Sequence, residues 1–455
     1  MKNESRIKIG FVGFGEINTP IDLIINRCNR VVSTLRENGL EVVSASPVTD
    51  DAHGDGVTQA VHELSNEDFS LLIVCVAGWI PTWAVISVIE PFKHIPMILL
   101  GLSGWDADGR FITTADQAGT TALRAPMQEM GFKFKYIVNF YRQAFPLDEV
   151  LDYCKAAAAF KRLKTAKIGM AGYRDMRLYA TTYDAISLKM QIGPEIEHFD
   201  LLELKQGMDL VDAAEIERIS SETLSKWEFI NEPRSKTIQD SIRLFCAIYS
   251  KIEDRHYSAF SYCDVDGIKK LLGFAPAGAL TLLHDHVVMP TIPENDTLGS
   301  VTQLILHFLT GQVAAYLEFY EFTLDGALMG VPDYVPHQIV SGKTIILPNS
   351  FGDFGEGLLN ISKIKGGAVT LARIGFVNGK YVMHVIEGIA DSPPSWEEAG
   401  WAQPAPQLPS LLIKFSVPVD TFIQKVLGQH YIILYGSYKK LIRDYCIIAG
   451  VDILE

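Results

Sequence analysis

Short apolar runs alternate with helical segments in the first third of the chain, and this alternation constrains the fold most. KIGFVGF (8–14), EVVSAS (41–46), LLIVCVAG (71–78) and PMILLGL (96–102) predict strands. Strand–helix alternation with short connections is typical of a doubly wound parallel sheet. The same order of strand, glycine turn and helix begins again at KIGMAG (167–172), which predicts a second α/β domain.

The character of the sequence changes after about residue 312. Segments 314–330, 367–388 and 411–417 are dense in β-branched and aromatic residues, which favours strands. Within 367–388, Asn378-Gly379 is a strong signal for a two-residue hairpin turn. These patterns predict a mostly antiparallel β-rich region, and the proline-rich stretch 391–410 predicts a surface loop.

The predicted fold class is therefore α/β, with two doubly wound parallel-sheet α/β domains followed by a mostly antiparallel β C-terminal domain. The predicted boundaries are 1–165 for the N-terminal α/β domain, 166–311 for the central α/β domain and 312–455 for the β-rich domain.

Charge and cysteine usage exclude several classes of partner. The 455 residues contain 40 Lys and Arg against 54 Asp and Glu, a formal net charge of −14. Nucleic acids and anionic membranes both require a basic surface, so neither is an expected partner. The six cysteines form no CxxC pair, and we find neither a signal-peptide-like apolar region nor an apolar run long enough to span a bilayer. We expect a cytoplasmic protein with unpaired thiols.

The glycines of GFVGFGE (10–16) invite a dinucleotide-binding interpretation, but the fingerprint is incomplete. Gly13-Phe14-Gly15 is followed by Glu16, Ile17 and Asn18, so the third glycine is missing. The second predicted strand also ends without a carboxylate for a ribose hydroxyl. A tight strand-to-helix turn explains the glycines better, and no nicotinamide cofactor is expected.

The most informative stretch is HDHVVMPTIPENDTLGSVTQLILHFLTG (284–311). Its apolar residues repeat at helical spacing, which predicts a helix from Thr297 to Gly311 with Asp296 as the N-cap. Glu294 precedes this helix in a proline-flanked turn that follows a strand. The carboxyl edge of a parallel sheet is where α/β domains bind ligands. The alternative interpretation is that Glu294 and Asp296 are both capping carboxylates.

Glu318 lies within an apolar, aromatic strand, AAYLEFYEFTL (314–324). A buried carboxylate is costly unless it is paired, so a metal ion or a positive charge is expected beside it. Glu321 is three residues away and should face the opposite side of a regular strand. The alternative is an edge strand with both carboxylates in solvent.

His430 stands between a glycine turn and a buried strand in GQHYIILYG (428–436). Glu294, Glu318 and His430 together supply two oxygen ligands and one nitrogen ligand, a set that suits Mn²⁺ or a similar divalent ion. A core or loop histidine is the alternative, and other histidines compete for the same role: His284, His286, His337 and His384.

Four segments together resemble the L-fucose/L-arabinose isomerase superfamily, and the resemblance extends over nearly the whole chain. PENDTLGSVTQLILHFLTG followed by AAYLEFYEF resembles the family's acidic turn, helix and second acidic strand. GQHYIILYG resembles the histidine segment, and RDMRLYATTYD (174–184) resembles a segment of the arabinose branch. The resemblance implies that Glu294 and Glu318 are carboxylate ligands and the acid–base pair, and that His430 is the imidazole ligand.

The resemblance implies a metal-dependent aldose–ketose isomerase that acts on a sugar and assembles as a homo-oligomer, a trimer or hexamer. The arabinose branch carries a further metal-site histidine near LMGVPDY (328–334), and this sequence has none there. The ligand set is therefore fucose-like, although the chain is shorter than a typical fucose isomerase. A pentose, a 6-deoxyhexose and an acidic or sulfonated sugar all remain open as substrates.

Four further residues are candidates for contacts with the sugar. Trp79 and Trp83 offer faces on which sugar rings stack, and Arg174 and Arg177 offer donors for hydroxyl or anionic groups. The alternatives are two core tryptophans and two surface arginines.

Two further hypotheses compete with the isomerase as a whole. One is a non-catalytic sugar-binding or sensory protein on the isomerase scaffold, and the other is a metal-independent relic.

Overall fold

The computed structural model describes residues 6–331, 334–350, 354–393 and 409–455. The chain divides into two compact units, Met1–Lys161 (unit 1) and Arg162–Glu455 (unit 2). In the part of the chain that the structure describes, no helix is long and apolar enough to cross a bilayer. The proline-rich surface-loop prediction falls mostly on 394–408, which lies outside the described residues.

Unit 1 contains a five-stranded sheet in the order β2-β1-β3-β4-β7, with every neighbouring pair parallel. Its central strands are buried on both faces, as the continuous apolar runs predict. The strands of unit 1 are β1 (Lys8–Phe14), β2 (Glu41–Ser44), β3 (Leu72–Val76), β4 (Met97–Gly101), β5 (Trp105–Ala107), β6 (Arg110–Ile112) and β7 (Phe134–Val138). The helices are α1 (Ile21–Glu37), α2 (Asp55–Ser65), α3 (Thr82–Ile89), α4 (Asp116–Glu129) and α5 (Leu147–Thr165), which continues into unit 2.

Unit 2 begins with a second parallel sheet, in the order β12-β11-β8-β9. Its strands are β8 (Lys167–Ala171), β9 (Glu195–Phe199), β11 (Ala259–Tyr262) and β12 (Thr291–Ile292), with β10 (Trp227–Phe229) outside this sheet. Its helices are α6 (Ala185–Gln191), α7 (Leu201–Asp209), α8 (Ala213–Thr223), α9 (Ser235–Arg255), α10 (Lys269–Leu272), α11 (Ala277–His286) and α12 (Thr297–Thr310).

The C-terminal part of unit 2 is built mainly from antiparallel strands. They are β13 (Ala315–Phe322), β14 (Gly326–Gly330), β15 (Thr344–Ser350), β16 (Glu356–Asn360), β17 (Gly367–Val377), β18 (Lys380–Asp391), β19 (Ser410–Phe415), β20 (His430–Tyr435) and β21 (Asp452–Leu454). Helices α13 (Val419–Ile423) and α14 (Lys439–Ala449) flank β20. The order β17-β20-β13-β14-β19-β18 closes on itself because β17 also pairs with β18.

The hairpin prediction is confirmed at Asn378-Gly379. Both residues have positive φ, 52° and 76°, as a two-residue turn that matches the twist of its strands requires. The two parallel sheets and the mostly antiparallel C-terminal strands are likewise as predicted. The doubly wound arrangement and the three domain boundaries stay predictions.

Helix α12 is the element that positions the candidate site. It packs against β11 and β12 of the parallel sheet and against β17 and β20 of the closed sheet. Most of its residues are therefore buried on all sides, which agrees with an apolar sequence that leaves little room for a polar face. The residues at its N-terminus lie where the four-stranded parallel sheet and the closed sheet of unit 2 meet.

Candidate active site

The turn between β12 and α12 has a strained backbone. Glu294 and Asn295 both adopt left-handed conformations, with φ of 68° and 46°. Such conformations are uncommon for residues other than glycine and concentrate at functional sites. The Asn295 side-chain amide donates hydrogen bonds to the carbonyls of Ala171 (2.9 Å) and Tyr173 (2.7 Å). The turn is thus anchored to the end of β8, at the carboxyl edge of the parallel sheet.

Helix α12 begins and ends where the sequence predicts. The Asp296 carboxylate accepts a hydrogen bond from the Gly299 backbone N–H (2.9 Å) as the N-cap, and Gly311 ends the helix with a φ of 72°. Asp296 is therefore a capping carboxylate, and Glu294 lies two residues before it in the preceding turn.

The register of the closed sheet brings Glu318 and His430 together. Strands β13 and β20 are antiparallel, and Glu318 lies directly opposite His430 in their ladder. Side chains opposite one another in this way are neighbours on one face of the sheet. His430 Nε2 lies 3.6 Å from Glu318 Oε2 and 3.7 Å from Glu294 Oε2. Two strands and one helix-preceding turn thus bring the three predicted residues to one point.

The relation predicted between Glu318 and Glu321 needs correction. The register of β13 against β14 shifts between Phe319 and Glu321, so the two-residue alternation does not continue across this bulge. Glu321 is exposed near the end of the strand, which agrees for this residue with the alternative interpretation of a carboxylate in solvent. Glu318 is only partly exposed.

The three side chains differ in their access to solvent. The His430 imidazole is 3% exposed, whereas the side chains of Glu294 and Glu318 are 18% and 28% exposed. Burial is the main cause that lowers the pKa of His430 to about 3, with Asp296 opposing the shift and Arg373 adding to it. The imidazole is therefore neutral at pH 7, which is the form that binds metal ions.

A buried network lies behind the imidazole. Arg373 donates to both carboxylate oxygens of Asp296, at 2.7 and 3.0 Å, and to the carbonyls of His430 and Ala180, both at 3.0 Å. The Tyr316 hydroxyl lies 3.1 Å from Asp296 Oδ2 and 2.7 Å from His430 Nδ1. Burial opposes ionisation of Asp296, but the Arg373 charge and its hydrogen bonds hold the pKa of that carboxyl below its usual value.

Sequence reasoning missed Arg373 and Tyr316. A signal was present, because Arg373 stands alone in the apolar run GAVTLARIGFV, and a buried guanidinium requires a partner. That partner is 77 residues away in the sequence, so the run by itself does not identify it.

The donor set fits a divalent cation, although the geometry is not that of a formed metal site. Among the described residues, no three His, Cys, Asp or Glu side chains already form a group that could hold a metal ion. Two carboxylates and a neutral imidazole nevertheless converge within 4 Å of one nitrogen, and oxygen–nitrogen sets of this kind suit Mn²⁺ and similar ions. Metal binding remains a proposal.

The two arginine candidates lie at the same edge of the parallel sheet as Glu294. Arg174 and Arg177 follow β8, are exposed, and flank Asp175, which is buried. The Asp175 carboxylate accepts hydrogen bonds from the backbone N–H groups of 264–266, each at 2.7 Å. The Arg174 guanidinium lies over the ring of Tyr179, 4.9 Å from its centroid. The role of both arginines in substrate binding stays a prediction.

Trp79 and Trp83 belong to unit 1, where Trp79 follows β3 and Trp83 lies in α3. They are 40% and 47% exposed, so the alternative of two core tryptophans is wrong for this chain. Their contact with a sugar stays a prediction.

The competing histidines have other partners or surroundings within unit 2. His384 bonds to the Tyr431 hydroxyl, His286 to the Thr223 hydroxyl and His337 to Asp285, while His284 packs against the Tyr334 ring.

No family model matches the chain. It is similar to the L-arabinose isomerase of Shouchella clausii, with 19% identity over 345 residues, which cover 72% of this chain and 68% of that protein. It is also similar to L-arabinose isomerase 2 of Bacillus licheniformis (24% identity over 148 residues) and of Clostridium acetobutylicum (25% over 150 residues). These two alignments cover 31% of this chain and span 31% and 30% of the relatives' lengths.

Among solved structures, a periplasmic solute-binding protein of an ABC transporter from Actinobacillus succinogenes, with bound D-allose, matches at 12% identity. The match covers 68% of this chain and 92% of that one, with a TM-score of 0.18. A likeness at that score supports no inference about function.

Proposed function

We propose that this chain is a metal-dependent aldose–ketose isomerase whose active site is formed by Glu294, Glu318 and His430. The observation that carries the proposal is the convergence of two carboxylates on one buried imidazole nitrogen at 3.6 and 3.7 Å. The similarity to L-arabinose isomerases supports the same reaction class. The proposed cofactor is Mn²⁺ or a similar divalent cation, held by all three side chains.

The reaction requires proton transfer and no external redox reagent. The proton on C2 of the aldose is removed, C2 becomes the carbonyl carbon as its hydroxyl proton leaves, and C1 receives a proton while its oxygen becomes a hydroxyl. A bound divalent cation supplies polarisation of the sugar carbonyl and acidifies the neighbouring C–H bond. The chain must supply a base that takes the carbon-bound proton and an acid that returns one.

Glu294 and Glu318 are suited to the proton-transfer roles. They approach His430 from different elements, the β12–α12 turn and strand β13, so a sugar bound there can meet one carboxylate at C1 and the other at C2. Both side chains are partly exposed to solvent, at 18% and 28%. His430 is buried and neutral at pH 7, and its role is to bind and orient rather than to transfer protons.

The test is a comparison of three variants of the full chain. Metal-stripped protein is supplied with Mn²⁺, bound metal is measured, and ketose formation is followed over a panel of aldopentoses, 6-deoxyaldohexoses and acidic aldoses, with L-arabinose first. In D₂O, deuterium at C1 of the ketose would report transfer through a carboxylate that exchanges with solvent. We expect Glu294→Gln to abolish ketose formation and His430→Ala to weaken Mn²⁺ binding.

Glu321→Gln is the matched control, because it makes the same change on strand β13 at an exposed position three residues from Glu318. It should bind Mn²⁺ and form ketose like the wild-type protein. Isomerisation by Glu294→Gln at the wild-type rate would refute the assignment of the base. Failure of the wild-type chain to bind Mn²⁺ would leave a sugar-binding protein or a relic as the better interpretation.

A further inference from the structure

His430 contacts a buried hydrogen-bond network through Nδ1, whereas its Nε2 lies beside the two candidate carboxylates. Arg373, Asp296 and Tyr316 form a chain of hydrogen bonds that ends at His430 Nδ1. Each of these side chains is at most 3% exposed. Hydrogen bonds strengthen one another in such a buried network and restrict the movement of its side chains.

The proton positions in this chain follow from which groups can donate. Arg373 donates to both oxygens of Asp296, so Asp296 is a carboxylate and can only accept. The Tyr316 hydroxyl therefore donates its proton to Asp296 Oδ2, at 3.1 Å. A phenol has only one such proton. In the shorter contact of 2.7 Å, His430 Nδ1–H is therefore the donor and the Tyr316 oxygen is the acceptor.

This assignment leaves the other ring nitrogen with its lone pair. With the Nδ1 proton in place, His430 Nε2, the ring nitrogen beside Glu294 and Glu318, carries the lone pair that a bound metal ion requires. The distances from Nε2 to the two carboxylates, 3.7 and 3.6 Å, are too long for hydrogen bonds. A cation placed beside this nitrogen lone pair and the two carboxylates would be attracted to all three groups.

We infer that Asp296 and Tyr316, held by Arg373, are positioning residues that fix His430 in the Nδ1–H form and direct Nε2 toward a divalent cation. The inference rests on the proposed function and extends it to three residues outside the ligand set. Metal-binding histidines commonly donate their second ring N–H to a fixed acceptor, which selects the tautomer and orients the ring. Here Tyr316 is that acceptor.

Arg373 donates hydrogen bonds to residues at both ends of this hydrogen-bond chain, Asp296 and His430. Besides Asp296, it donates to the carbonyl of His430 itself and to that of Ala180. Asp296 in turn caps α12, one residue after the strained turn that carries Glu294 and Asn295. One guanidinium therefore links the start of α12, which follows the Glu294 turn, to the first residue of β20, which is the imidazole ligand.

The first test is the tautomer of His430 in metal-free protein, measured by long-range ¹H–¹⁵N NMR on the full chain labelled with ¹⁵N-histidine. The resonances are assigned by their loss in His430→Gln. We expect a proton on Nδ1 and none on Nε2 in the wild-type protein. In Tyr316→Phe the acceptor is removed, and the Nε2–H form should become populated.

The second test is Mn²⁺ affinity, for which we expect Tyr316→Phe to bind about 10–100-fold more weakly than the wild-type chain. The matched control is Tyr431→Phe, which removes the hydroxyl of a neighbouring buried tyrosine that contacts His384 and the Leu427 backbone N–H instead. It should leave the His430 tautomer and the Mn²⁺ affinity unchanged.

The outcomes separate this inference from the proposed function. A proton on Nε2 in the wild-type protein overturns the inference whether or not metal binds, because the tautomer is measured on metal-free wild-type protein. Wild-type tautomer and affinity in Tyr316→Phe would also overturn it. An Nδ1–H wild-type imidazole that shifts in Tyr316→Phe, in a chain that binds no Mn²⁺, would support the positioning role and refute the metal-dependent isomerase.

Discussion

Removal of Arg373 should destabilise unit 2 because it leaves a buried carboxylate without its counter-charge. Arg373→Met keeps a long, apolar side chain at a position that is 1% exposed, while Asp296 is fully buried. Breaking a buried pair by removing one partner costs about 3–5 kcal/mol, because the remaining charge is uncompensated. We expect a loss of about 4 kcal/mol in the free energy of unfolding.

A second substitution should restore part of that loss. In Arg373→Met/Asp296→Asn neither charge remains, and asparagine still accepts the N-cap hydrogen bond from Gly299. Replacement of a buried ion pair as a whole is often close to neutral. The double variant should therefore be more stable than either single variant, which is the opposite of additive behaviour.

The assay is equilibrium urea unfolding combined with hydrogen exchange of peptides from α12 and β13, because the two units need not unfold together. A loss of about 4 kcal/mol corresponds to roughly 10³-fold faster exchange where amides exchange through unfolding of unit 2. Arg218→Met is the control, because Arg218 pairs with Glu215 and Glu222 on the exposed face of α8. It should cost less than about 1 kcal/mol.

A loss below about 1 kcal/mol in Arg373→Met would refute the reasoning. So would a double variant that is destabilised by the sum of its single substitutions. Either result would mean that Asp296 finds other compensation in the fold.

Three other predictions concern strain, pH and a buried carboxylate. Because Glu294 has a φ of 68°, Glu294→Gly should be about 1 kcal/mol more stable than Glu294→Ala in urea unfolding, and equal midpoints would contradict the strain. Burial, with the charge of His337 adding to it, lowers the pKa of His284 to about 3, so protonation favours the unfolded state. The stability that this neutral histidine contributes is complete above about pH 6.5 and falls toward pH 3, by up to about 2 kcal/mol between pH 6.5 and 5. His284→Leu should show a flatter dependence of the unfolding midpoint on pH, and an unchanged slope would refute the role of this group. Asp175→Asn should lower the free energy of unfolding by about 2–4 kcal/mol and speed hydrogen exchange at 264–268, because an amide NH₂ replaces an oxygen that accepts from backbone N–H groups. Unchanged exchange at these residues would contradict this prediction.

Local sequence determined the elements whose signals lie within a few residues. Apolar periodicity, Asp296 and Gly311 were enough to define α12, since an N-cap and a C-terminal glycine act on the nearest turn of the helix. Asn378-Gly379 was enough for its hairpin, because the turn requires positive φ at adjacent residues. Glu294, Glu318 and His430 were singled out by their unusual chemical surroundings and by the family resemblance.

Tertiary structure decided which of these residues meet. Glu318 and His430 are neighbours because of the register of β13 on β20, and a shift of one residue would have moved each side chain to the other face. The bulge after Phe319 and the pairing of Arg373 with Asp296 likewise depend on strands and turns that are distant in sequence. Helix propensity and capping act over one turn of the chain, so the local sequence determines them. Strand register and buried ion pairs depend on the packing of whole sheets, whose strands come together only in the folded chain.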